Sequence, residues 1–153
     1  MRRAALYVTF LFLVALQQAD GATGRILKVL PQFIDLKGRY SDEPSLYQRD
    51  AYQAYLREHP DKRSAMRFAI QWKFKGAYYE PLKVRLELKG APEQNASKIQ
   101  ILESPVQPNG FFSNWSDLRL EGNAYRDFGA VTAWRATLWE GTQLLAEQKS
   151  FLW

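Results

Sequence analysis

A chain with one histidine, His59, and no cysteine has few ways to carry out covalent or metal chemistry. Neither a structural zinc site nor a Cys–His nucleophile can be assembled from those counts. A serine triad would have to recruit His59, which precedes Pro60, and no Gly-x-Ser-x-Gly surrounds any serine. His59 reads instead as a cation favoured at the C-terminus of a helix. No glycine-rich phosphate loop is present. What remains is carboxylate chemistry. Asp117, Glu121, Asp127 and Glu140 supply acids and bases for a glycosidase-type hydrolysis only if the fold sets two of them about 5–10 Å apart. On this reading no catalytic residue, metal ligand or cofactor is assigned, and a carboxylate-based hydrolase stands as an alternative function.

Two further groups of residues can bind without reacting. The first is basic: Arg67, Lys73, Lys75, Lys83, Arg85 and Lys89 share one parity across the segments 65–75 and 82–89, with Glu87 alone to offset them. If they form one surface, an anionic glycan, an envelope lipid or an acidic protein could dock on it. Outward lysine also simply discourages edge-to-edge aggregation. No aromatic side chain interleaves these charges, which removes single-stranded nucleic acid as a partner. The second group is aromatic: Tyr78, Tyr79, Phe111, Phe112 and Trp139 fall in or beside segments rich in turn residues. Either they plug the end of a β-structure or they make an exposed contact surface for a protein or a sugar.

The elements that must position these residues are read from hydrophobic period. Met66, Phe68, Ile70, Trp72 and Phe74 alternate with polar residues, and Leu82, Val84, Leu86 and Leu88 do the same. A period of two marks half-buried strands, and the linker 76–81 is too short for a crossover helix, so an antiparallel hairpin is expected. Segment 25–37 is rich in strand formers but holds Pro31, so it is expected as an edge strand kinked or switching sheets near that proline. Ser45 with Gln48 three positions on is a capping box opening a helix over about 46–58, which Pro60 closes. Shorter alternating runs follow at 98–103 and 115–121, and a second hairpin joins 130–139 to 144–152 through Glu140–Gln143.

Seven strands with one helix inserted between the first two resemble an immunoglobulin-like or fibronectin-type-III-like β-sandwich, although the Cys-Trp-Cys signature of antibody domains is missing. The resemblance implies an all-β, mainly antiparallel sandwich with Phe68, Ile70, Trp72, Val84, Leu86, Leu118, Leu120, Trp134 and Leu138 in its core. It also gathers the connections carrying Tyr78–Tyr79, Phe111–Phe112 and the turn beside Trp139 at one end, with the helix at the other.

Met1-Arg2-Arg3, the apolar run 4–16 and the small residues Ala19 and Gly21 have the layout of a secretory signal peptide over residues 1–21. The apolar run is too short to span a bilayer, so no transmembrane anchor is expected after cleavage. Losing Arg2, Arg3 and Asp20 takes the formal net charge from +5 to +4, and residues 22–153 have the size of a single domain. Export without disulfides suits a periplasmic or extracellular bacterial setting. These features together predict an exported, non-catalytic binding or structural module of the bacterial envelope, with another envelope protein or a polysaccharide as partner. A small outer-membrane β-barrel is a further alternative, suggested by the closing Ser150-Phe151-Leu152-Trp153.

Overall fold

A computed structural model describes residues 22–91, 98–110 and 112–153, so the expected leader and Phe111 lie outside the described residues. The elements in chain order are β1 (Thr23–Asp35), α1 (Leu46–Glu58), β2 (Arg63–Lys75), β3 (Leu82–Gly90), β4 (Ile99–Val106), β5 (Asn114–Glu121), α2 (Gly122–Phe128), β6 (Val131–Glu140) and β7 (Gln143–Lys149). The strands form two open antiparallel sheets, ordered β1-β2-β5 and β4-β3-β6-β7.

The inner faces of the sheets make the core. Along β3 the burial alternates without a break, with Leu82, Val84, Leu86 and Leu88 almost fully enclosed. Each such side chain contributes about 1.5–3 kcal/mol by leaving water. Phe68, Ile70 and Trp72 of β2, Leu118 and Leu120 of β5, and Leu138 of β6 are buried with them, and Trp134 packs half-buried against the same cluster.

Four expectations need correcting. The runs 65–75 and 82–89 are not a hairpin, because β2 pairs with β1 and β5 while β3 pairs with β4 and β6. Six residues span up to about 20 Å, ample to cross the roughly 10 Å between packed sheets. Gly76, at φ 104°, begins that crossing. Strand alternation shows which face is apolar but not which sheet the strand joins. Two open sheets also replace the barrel alternative. In β1 the irregularity lies at Leu27, where the register with β2 shifts, and not at Pro31, which sits in register opposite Phe68. Finally, residues 122–128 form a short helix rather than a plain connection, and it turns Phe128 into the core.

Helix α1 begins at Ser45, whose hydroxyl accepts the backbone N–H of Gln48 at 3.1 Å. At its C-terminal end Arg63 donates to the carbonyls of Leu56 and Arg57, which would otherwise lack partners. His59 closes the helix, with its ring against Tyr55. Among the described residues no helix is long and apolar enough to cross a membrane.

Candidate functional site

The connections β2–β3 and β4–β5 and the β6–β7 turn lie close together. Glu140, the last residue of β6, turns its buried carboxylate toward the β2–β3 connection and accepts the backbone N–H groups of Tyr79 at 2.8 Å and Glu80 at 3.4 Å. The N–H of Gly141 donates to Pro81 O at 2.9 Å. A side chain at Gly141 would press within 3.0 Å of Glu80, and its φ of +53° also favours glycine. These contacts fix a loop without secondary structure of its own. Held this way, Tyr78 rests edge-on against Phe74 with ring centroids 5.7 Å apart. Tyr79 projects almost wholly into solvent, 91% exposed.

The β4–β5 connection is braced by the side-chain Oδ1 of Asn114, which accepts the backbone N–H of Asn109 at 2.8 Å, and by Gln71, whose side-chain amide donates to Ser113 Oγ at 2.8 Å. It carries Phe112 at 80% exposure. Tyr78 and Tyr79 line a hollow of about 550 Å³ whose far wall is Pro105, Val106 and Gln107. Those three residues also wall a second hollow, of about 600 Å³, that includes Phe112, Asn109, Ser113 and Trp115. The two hollows therefore adjoin, and exposed rings flank a strip of amide and hydroxyl groups. Rings of this kind bury large area at small entropic cost, and the polar strip can hydrogen-bond a partner.

Trp115, 51% exposed, is a member that sequence reading missed. Its signal was available: Leu118 and Leu120 point inward, so odd positions of that strand point out. Trp139 stands apart from the group. It lies on the outer face of the second sheet, directly opposite Lys83, and its indole N–H donates to Thr137 Oγ1 at 2.8 Å. Phe111 lies outside the described residues.

The six basic residues do not share one surface. Arg67, Lys73 and Lys75 are on β2 and Lys83, Arg85 and Lys89 on β3, so they occupy the two outer faces of the sandwich. Three of them are paired with carboxylates and a fourth lies over an aromatic ring. Arg67 makes a two-pronged contact with Asp117 at 2.7 and 2.8 Å and lies over the Tyr40 ring. Lys83 meets Glu103 at 3.2 Å, Arg85 lies between Glu87 and Glu103, and the Lys89 ammonium sits 4.1 Å from the centre of the Trp153 ring.

The four carboxylates are dispersed as well. Asp117 is paired with Arg67 on an outer face, Glu140 is committed to backbone N–H groups, and Glu121 and Asp127 flank or belong to α2. Among the described residues no three of His, Asp or Glu stand close enough to hold a metal ion.

A separate polar cluster sits where β1 leads into α1. Asp35 accepts from Tyr52 Oη at 2.6 Å, from the backbone N–H groups of Lys37 and Arg39 at 2.8 Å each, and from the Arg39 guanidinium. Burial pushes its carboxyl up, but these donors outweigh burial and hold it at about 2. Burial, and then the bond to Asp35, push the Tyr52 hydroxyl up to about 12. A carboxyl that stays ionised and a phenol that stays protonated make a fixed brace for the connection.

No protein-family model matches this chain, and no curated protein or solved structure matches it significantly.

Proposed function

We propose that this chain is an exported, non-catalytic binding module of the bacterial envelope that meets another envelope protein or a polysaccharide through the loop end carrying Tyr78, Tyr79 and Phe112. The reading rests on the exposure of Tyr79 and Phe112 on adjoining, braced loops. Large rings left in water on loops that are otherwise tied down mark a contact surface. The strand order β1-β2-β5 against β4-β3-β6-β7 supports an immunoglobulin-like sandwich in which the fourth strand has joined the third instead of the fifth. Such sandwiches present their loops at two ends, which suits recognition better than the dispersed carboxylates suit hydrolysis.

The test is capture of envelope proteins and polysaccharides by the immobilised protein. The double change Tyr79→Ser, Phe112→Ser should abolish capture with the unfolding midpoint unchanged, whereas Lys83→Glu, Arg85→Glu should leave capture intact. The opposite pattern would move the contact to the second sheet's outer face. Turnover of a glycoside or ester, lost on changing Glu121 or Asp127, would hand the case to the hydrolase.

A further inference from the structure

Arg25, Lys28, Lys73 and Lys75 form a cluster of strand cations at one end of the β1–β2 ladder. Arg25 lies directly opposite Lys73, Thr23 opposite Lys75 and Lys28 opposite Gln71, so the four charges share the outer face of the first sheet near the loop end. None of them meets a carboxylate or an aromatic ring among the described residues. Of the other strand cations, Arg63, Arg67, Lys83, Arg85, Lys89, Arg135 and Lys149 each have an anionic or aromatic partner, and Arg119 on β5, opposite Arg67 and away from this group, has none among the described residues. Like charges directly across a ladder destabilise a sheet. Edge protection accounts for cations on β1, an edge strand, and extends to Lys73 and Lys75, because β2 pairs with β5 only as far as Trp72, but it does not call for Arg25 directly opposite Lys73.

Beside these charges the seam between β1 and β7 opens into a hollow of about 690 Å³. Arg25, Lys73 and Lys75 line it together with Leu27 and Leu144. Leu27 is the residue displaced by the register shift in β1, and it is 45% exposed; Leu144 is 46% exposed. Unpaired cations next to protruding leucines match a surface that offers phosphate and hydrocarbon together. A polyanionic sugar would satisfy the charges and leave the leucines in water, whereas the boundary of an anionic bilayer satisfies both.

We propose that the β1–β2 face docks on an anionic phospholipid membrane, with Arg25, Lys28, Lys73 and Lys75 against headgroup phosphates and Leu27 and Leu144 entering the acyl boundary. This surface is separate from the aromatic loop residues, so it stands or falls independently of the capture reading above.

Co-sedimentation with vesicles tests it, using protein in the form the producing cell leaves it. The quantity read is the gain in binding to phosphatidylcholine vesicles when phosphatidylglycerol is mixed in, which a shared apolar leader does not alter. Wild type should show that gain, and raised salt should shrink it. Lys73→Gln, Lys75→Gln should cut it roughly thirtyfold, about fivefold being recovered by restoring one lysine. The pair should not lower the unfolding midpoint, because it relieves repulsion. Lys83→Gln, Arg85→Gln removes the same net charge from the other sheet and should leave the gain unchanged. Leu27→Ser, Leu144→Ser should weaken vesicle binding while leaving binding to dextran sulfate intact. The proposal is overturned by equal binding to neutral vesicles, by equal loss in the two charge pairs, or by leucine variants that bind vesicles as wild type does. That last result would assign the cations to a polyanionic chain.

Discussion

Asp35 shows how a single side chain couples the fold to pH. Its folded carboxyl is held at about 2, below the ordinary carboxylate value near 3.9. A depressed value stabilises the native state above about pH 4, and the contribution disappears as pH falls through 2. The difference is worth about 2–3 kcal/mol. Urea unfolding across pH 2–6 should therefore show Asp35→Asn weaker than wild type by that order at pH 6 and equal to it near pH 2. The core offers a sharper contrast. Ile70 is wholly enclosed, so Ile70→Asp buries an unpaired charge and should cost about 4 kcal/mol or more, enough to unfold the chain. Its neighbour Gln71 points the other way and loses only its bond to Ser113, so Gln71→Ala should cost about 1 kcal/mol by the same denaturation experiment. At this scale the sequence was informative: parity alone separates Ile70 from Gln71, and eight of the nine expected core residues are buried. It was silent on the pairings of Arg67, Lys83 and Arg85, because Asp117 and Glu103 come from strands about 20 to 50 positions away.

Among the elements, α1 and β1 depend on each other through Gln53. Its carbonyl oxygen accepts Phe33 N–H at 2.7 Å, and its amide donates to Phe33 O at 2.9 Å and to Tyr40 O at 2.7 Å. Phe33 lies on the free edge of the first sheet, and the side chain takes the place of a missing strand there. Gln53→Ala should cost about 2 kcal/mol and also uncover the edge, giving concentration-dependent association in sedimentation velocity that the wild type lacks. Nothing in the periodicity of 46–58 announces this role, since a buried glutamine on a helix is recognisable only when its backbone partners are known. Helix α2 was unreadable for another reason. It has seven residues and no side-chain cap, and its packing signal is just Tyr125 and Phe128 at a spacing of three. Strands β2 and β3 were legible as strands, yet their partners were not, because an apolar inner face looks the same in one sheet as in the facing one.

For the molecule as a whole, the decisive arrangement is that β2 and β3 belong to different sheets. A chain without cysteine makes it directly testable. Antiparallel neighbours hold Cα atoms about 4.5–5.5 Å apart, within disulfide range. Arg25→Cys with Lys73→Cys should therefore oxidise readily to a crosslinked monomer, whereas Lys73→Cys with Lys83→Cys should stay reduced under the same conditions. Gel mobility and thiol titration read both outcomes, and the reverse result would restore the hairpin. The same topology sets the order in which the molecule can be built. β2 finds β5 only across the intervening β3 and β4, and β3 finds β6 across roughly fifty positions. Gly24, at the start of β1, lies so tightly against Leu138 and Leu145 that a Cβ there would come within 3 Å of both. The first strand is thus seated by the last two. Such a high contact order makes folding slow, in milliseconds to seconds, and a growing chain stays an unclosed thread until β6 and β7 have been synthesised.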